Sequence, residues 1–278
     1  MGVKTATVYV VRHGETVGND TKLIMHPDED VLNTTGKIQA TNLAQTLKEV
    51  NFTDVYTSNY PRTIETASIV LSHNLNNKSP PTKTDERLRE IVMHIMITSN
   101  FRNICVTIFC VFHKGIDNMY GQPYGTIFKA LIAFLNSGRP LDEFAVQESE
   151  PLPEIRKRAG EFLVDLIQNI SKSNSPDQTI LIVSHGAFIR FFLEHFTNAA
   201  KFNLAGWDPS ALKFTRNTGC NMFVIHVPDE SETEQQIRVN FEKIHDFSHL
   251  TKEMLETDSL TRIAQTPEGK CISGCMQV

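Results

Sequence analysis

The stretch that most constrains the chain is Val10-Val11-Arg12-His13-Gly14-Glu15-Thr16. An apolar run, Ala6, Val8, Val10 and Val11, stops abruptly in Arg-His-Gly. The pattern predicts a buried strand, roughly Thr5 to Arg12, that hands an arginine and a histidine to a tight glycine turn. A second apolar run, Thr179-Ile180-Leu181-Ile182-Val183-Ser184, ends in Ser184-His185-Gly186. Such an unbroken run is what a central parallel strand carries. Open α/β sheets bind ligands at the carboxyl ends of their strands. One strand-end histidine reads as a loop cap; two on the same sheet edge predict a site.

The remaining elements follow the hydrophobic period. Ala40, Leu43, Ala44 and Leu47 mark a helix, with Thr34 or Thr35 as its expected N-cap. Phe52 to Ser58 reads as a second strand. It runs into Asn59-Tyr60-Pro61-Arg62, where proline suits a helix's first turn. Arg62 therefore sits beside backbone N–H groups that favour an anion. Lys83 to Leu88 is a short extended segment ending in Arg87-Leu88-Arg89-Glu90. Thr126 to Asn136 reads as a helix, and 137–153 as a connector. Ile155, Ala159, Phe162, Leu163, Leu166, Ile167 and Ile170 outline the clearest amphipathic helix. A phenylalanine-rich helix follows His185. Asn217-Thr218-Gly219 opens a strand, paired with one over Ile237 to Ile244. From Ser248 the chain turns polar, which predicts a domain over 1–248 and a loose C-terminal tail over 249–278.

Ile91 to Lys114 breaks the pattern. It holds no acid and only Arg102 and Lys114 besides its histidines. Asn100, Arg102 and Asn103 divide it, leaving runs too short for the roughly 20 residues a membrane span needs. Its position between two motifs marks it as an insert, of the kind an unspliced intron leaves in a gene model.

Composition narrows the function. The 278 residues suffice for one large α/β domain, and the formal net charge of -5 brings no basic surface for nucleic acid. An anion site must then be a local positive pocket. Met1-Gly2-Val3-Lys4 leads straight into the first strand, so no signal peptide is expected. Ala6 breaks the myristoylation pattern, and Cys275-Met276-Gln277-Val278 lacks the aliphatic middle of a prenylation box. The five cysteines lack metal-ligand spacing. Reduced thiols, a cytoplasmic location, no membrane contact, a monomer and no metal are the expectations.

Two histidines, two arginines and an asparagine converging on one crevice are costly unless an anion lies between them. His13 can serve as a nucleophile. Arg12, Arg62, His185 and Asn19 are the residues expected to bind a phosphoryl group. One carboxylic acid, Glu90, can protonate a leaving alcohol and then activate water. Glu15 is the competing acid.

Arg12-His13-Gly14-Glu15-Thr16 with Asn19, Leu32 to Gly36, Ser58 with Arg62, Arg87 to Glu90, and Ser184-His185-Gly186 resemble, in order, the histidine phosphatase (phosphoglycerate mutase-like) superfamily. The resemblance implies a three-layer α/β/α fold, a mostly parallel mixed sheet flanked by helices, and no metal or other cofactor. It implies His13 as nucleophile, Glu90 as proton donor, and Arg12, Asn19, Arg62 and His185 as phosphate binders; His185 is counted with the catalytic residues and Gly186 with the phosphate-binding ones. Ser184 to Arg190 and Asn217-Thr218-Gly219 are similar to the TIGAR-type fructose-2,6-bisphosphatases. That subgroup implies a small phosphorylated metabolite as substrate, fructose-2,6-bisphosphate or a bisphosphoglycerate, and a part in glycolytic regulation. A phosphoglycerate-type mutase and a catalytically impaired phosphate binder are the alternatives. Tyr120-Gly121-Gln122-Pro123 is similar to the family's loop over the site, displaced by the inserted segment.

Overall fold

A computed structural model describes residues 3–21, 23, 25–76, 80–90, 94–98, 105–109, 152–228 and 236–257. In chain order these form β1 (Lys4–Arg12), α1 (Val17–Thr21), α2 (Thr34–Leu47), β2 (Asp54–Thr57), α3 (Pro61–Ser72), β3 (Thr82–Thr84), β4 (His94–Thr98) and β5 (Cys105–Phe109). There follow α4 (Leu152–Lys172), β6 (Asp177–Ser184), α5 (Gly186–Glu194), β7 (Phe202–Ala205), β8 (Cys220–Val227), β9 (Ile237–Asp246) and α6 (Lys252–Thr257). The helix expected over 126–136, the loop at 120–123 and the expected connector as far as residue 151 lie outside the described residues; the connector's last two positions, Leu152 and Pro153, already belong to α4.

A seven-stranded sheet in the order β3-β2-β6-β1-β8-β9-β7 forms the middle layer. Every pairing is parallel except those of β8 with β1 and β9, so β8 alone runs against the rest. Side-chain alternation builds two cores from one sheet. Ala6, Val8 and Val10 of β1, with Ile180 and Ile182 of β6, pack under α4 and α5 through Phe162, Leu166, Phe188 and Phe192. Val11, Leu181 and Val183 face the other way, against Leu43, Ala44 and Leu47 of α2 and Ala67 and Val70 of α3. The result is the expected three-layer α/β/α fold. Among the described residues no helix is long and apolar enough to cross a membrane.

Four details depart from the sequence reading. The cap of α2 is Asn33 rather than Thr34 or Thr35: its side-chain oxygen accepts from the Gly36 N–H at 2.8 Å. β7 is an edge strand that the polar run after Asn198 did not disclose. β4 and β5 pair with each other as a separate antiparallel ribbon within the compositionally odd segment. The chain just past Ser248 is not loose. Leu250 is buried, α6 follows, and Met254 accepts a hydrogen bond from Asn42 of α2. A helix of six residues buries too little to announce itself by periodicity; Leu250 and His249 supply the docking.

Candidate active site

Register places the site. Arg12 of β1 lies opposite Ser184 of β6, so His13 and His185 leave adjacent parallel strands at one level. The His13 N–H donates to the Ser184 carbonyl at 3.0 Å, and the Thr218 N–H, from the turn entering β8, reaches the Arg12 and His13 carbonyls. All three strand ends are thereby pinned together.

The glycine turn after His13 is held backbone to backbone. A Cβ on Gly14 would lie 2.6 Å from the Gly36 carbonyl oxygen, and one on Gly36 only 2.0 Å from that of Glu15. The two glycines therefore let the entrance of α2 touch the nucleophile loop. The Gly14 N–H donates to Thr66 Oγ1 of α3, and the Glu15 N–H to Gln39 Oε1 of α2. A Glu15 carboxylate oxygen accepts from Asn33 Nδ2 at 2.9 Å, next to the cap of α2. The competing acid thus braces the loop.

His13 Nδ1 lies 2.7 Å from the Gly14 carbonyl oxygen. A carbonyl only accepts, so Nδ1 carries the proton and Nε2 keeps its lone pair. Burial first, then the Arg62 and Arg12 charges, hold His13 well below the ordinary histidine pKa. The same causes, with His13 and Arg158 added, depress His185. The two rings meet edge to face with centroids 5.1 Å apart. Neutral at pH 7, His13 has the protonation state a nucleophile needs.

The cations converge as expected. Arg12, 9% exposed, donates one N–H to the Thr215 carbonyl at 2.9 Å. Arg62, 5% exposed, stands at the start of α3. It donates to the Pro27 carbonyl, lies 3.9 Å from Asp30 and stacks over the Tyr60 ring. Its buried Nε–H has no hydrogen-bond partner among the described residues. Gly186 opens α5, and its Cα face lies against both Arg12 Nε and Phe214; an added Cβ would fall 3.5 and 3.2 Å from them. Asn19 Oδ1 accepts from Asn217 Nδ2 and the Thr16 N–H, which leaves its amide nitrogen as the donating end.

Glu90 is 9% exposed, and its carboxylate accepts from the Ala187 and Phe188 N–H groups at the N-terminus of α5, at 3.2 and 3.3 Å. It therefore reaches the helix start that follows His185-Gly186. Arg87 turns to Asp85 and Asp165, and Arg89 to Asn59 and Glu86. Arg158 of α4 secures the acid loop from behind. It donates to the carbonyls of Arg87, Arg89 (2.7 Å) and Glu90 (3.3 Å). Ser184 Oγ donates to the Leu88 carbonyl at 2.7 Å.

Several of these residues escaped sequence reasoning. Arg158 looks like any polar position of an amphipathic helix. Asn217, fully buried, donates to the His13 carbonyl at 3.1 Å; its place before Thr-Gly was the available signal. His249 lies 2.9 Å from Thr218 Oγ1, which itself donates to the Asn217 carbonyl. The C-terminal segment therefore bears on the turn beneath His13.

A buried pair of histidines, two arginines and a carboxylate gather at the carboxyl edge of an α/β sheet, where folds of this class bind their ligands. The chain belongs to the histidine phosphatase superfamily (branch 1), whose family model matches residues 8–104 and 128–221. It is thus a phosphatase, a phosphoric monoester hydrolase. The chain is 26% identical over 278 residues to fructose-2,6-bisphosphatase TIGAR B of Danio rerio, covering 88% of this chain and 96% of that protein. It is 26% identical over 261 residues to fructose-2,6-bisphosphatase TIGAR of Bos taurus, covering 78% and 87%. In fold it is similar to a phosphoglycerate mutase from Bacillus anthracis, with a TM-score of 0.61 at 20% identity over 89% of this chain and 96% of that one.

Proposed function

We propose that the protein hydrolyses a small phosphorylated metabolite through a phosphohistidine on His13, with fructose-2,6-bisphosphate as the first substrate to test and a bisphosphoglycerate as the second. The observation that carries this reading is the buried His13 ring, whose Nδ1–H is tied to the Gly14 carbonyl while Nε2 keeps its lone pair and the charges of Arg62 and Arg12 help keep the ring neutral. The TIGAR relatives support the bisphosphate choice. The protein acts as a cytoplasmic monomer in this reading, in glycolytic regulation, and needs no metal.

In the first step Nε2 attacks phosphorus and the phosphorus–oxygen ester bond breaks. Arg12, Arg62, Asn19, His185 and the backbone at Gly186 hold the phosphoryl oxygens, where charge accumulates. The leaving alkoxide takes its proton from Glu90. In the second step Glu90 takes a proton from water as the water oxygen attacks the phosphohistidine. Phosphate leaves, and His13 and Glu90 return to their starting states.

The test is phosphate release from fructose-2,6-bisphosphate, 2,3-bisphosphoglycerate and a phosphotyrosine peptide, beside a His13→Ala control. Release from a bisphosphate that disappears in the control is the expected result. Phosphate returned to a product alcohol would make the protein a mutase, and preference for the peptide would refute the small-metabolite assignment.

A further inference from the structure

His185 shares its site with His13 but is held differently. Its Nε2 lies 2.7 Å from Ser58 Oγ, at the end of β2, and its Nδ1 is buried with no hydrogen-bond partner among the described residues. Ser58 Oγ in turn lies 2.9 Å from Thr63 Oγ1 and accepts from the Tyr60 N–H at 3.3 Å. Thr63 Oγ1 also contacts the Ser58 and Tyr60 carbonyls at 2.9 and 2.8 Å. Carbonyls cannot donate, so the Thr63 proton is committed to one of them. Thr63 then offers Ser58 only a lone pair.

The single Ser58 proton has two destinations. If it goes to Thr63, a neutral His185 must donate from Nε2, and Nδ1 becomes a bare lone pair. If it goes to His185 Nε2, then Nδ1 carries the N–H. A phosphoryl oxygen accepts and does not donate, so the second arrangement attracts it and the first repels it. We propose that Ser58 is a positioning residue that donates to His185 Nε2 and so fixes the tautomer in which Nδ1–H meets the phosphoryl group. The shorter distance to His185 than to Thr63, and the stronger basicity of an imidazole nitrogen than a hydroxyl, favour that direction.

The groups around the ring reinforce it. Arg12 bears on it from the end of β1 and His13 from the residue after, Tyr60 and Arg62 from the start of α3, and Arg158 from α4, while the Glu90 carboxylate lies on the Ala187 N–H two residues along the chain. Three of these are cations, and burial adds to them, so the ring stays neutral and its tautomer decides what it offers. The proposal rests on the phosphatase reading of the site for its ligand, though the tautomer itself belongs to the free protein.

The experiment is ¹⁵N NMR of the histidine rings, with and without inorganic phosphate, in the wild type, Ser58→Ala and Thr63→Val. In the free wild type His185 should show a protonated Nδ1 and a bare Nε2. Thr63→Val removes the competing acceptor and should preserve that state. Ser58→Ala should give a mixture of tautomers, and phosphate should bind about 10-fold more weakly, the worth of one hydrogen bond. A merely structural serine would leave the tautomer unchanged. A protonated Nε2 in the free wild type, or the same tautomer and phosphate affinity in Ser58→Ala, overturns the proposal. Should Ser58→Ala fail to fold, the wild type and Thr63→Val decide it. A wild type with the expected tautomer that binds no phosphate overturns the phosphatase reading and leaves the tautomer assignment standing.

Discussion

Replacing Arg158 by methionine keeps the apolar stem on α4 and removes the guanidinium that holds three carbonyls of the acid loop. Hydrogen bonds to charged groups are worth roughly 1.5–3 kcal/mol each, but these carbonyls can turn to water, so the expected loss of stability is about 3 kcal/mol. The larger effect is on geometry. Glu90 reaches the head of α5 only because the 87–90 backbone is fixed. A displacement of about 1 Å costs ~10²-fold, equivalent to about 2.7 kcal/mol of barrier. The loss should depend on the leaving group. An alkyl phosphate needs a proton from Glu90, so its kcat/KM, which reports phosphoryl transfer to His13 and not the water step common to all substrates, should fall ~10²-fold. The kcat/KM for a p-nitrophenyl phosphate, whose phenolate departs unprotonated, should fall less than about 5-fold. Steady-state kinetics on both substrates with Arg158→Met measures the difference. Equal losses on both would refute the claim that Arg158 acts by placing the acid.

Three further predictions concern folding and the chain itself. His13, His185 and His249 all have pKa values below the ordinary histidine value, His249 at about 4, chiefly through burial. Between those values and about pH 6.5 the unfolded chain binds protons that the native protein refuses, so stability should fall on acidification from pH 7 to 5, by up to about 1.4 kcal/mol per pH unit for each histidine. Urea unfolding at pH 7, 6 and 5 checks the sign, and a flat profile would contradict it. Gly36→Ala forces a Cβ to within 2.0 Å of the Glu15 carbonyl oxygen and should destabilise by about 3 kcal/mol or more, with loss of activity; a melting curve matching wild type would show that the loop yields. Sequencing of transcripts should show a dominant message lacking residues 91–114, and a dominant message that encodes them would refute the intron reading.

The sheet and both histidines were legible because periodicity and punctuation agreed. Alternating apolar residues in β1, an unbroken run in β6, and a glycine directly after each histidine specify buried strands ending at one edge. Arg62 was legible through Pro61, which marks a helix start. What escaped was everything that acts through a backbone carbonyl or across long sequence separations. Arg158 reaches the acid loop some 70 residues upstream, and its targets are main-chain oxygens that no residue type announces. Ser58 carries no local signal beyond its place four residues before Arg62, because its hydrogen bond to His185 spans 127 positions. The docking of His249 on Thr218 was hidden for the same reason: polar composition predicts exposure, whereas the hydrogen bond to the buried Thr218 hydroxyl leaves His249 half-buried.

The central claim is that His13 Nε2 takes the phosphoryl group. Rapid quenching of the enzyme during turnover of ³²P-labelled fructose-2,6-bisphosphate, followed by peptide mapping under alkaline conditions, tests it most directly. The account predicts an acid-labile, alkali-stable phosphate on Nε2 of His13 that forms within one turnover and is absent from His13→Ala. Turnover at an undiminished rate with no label on His13 would contradict it.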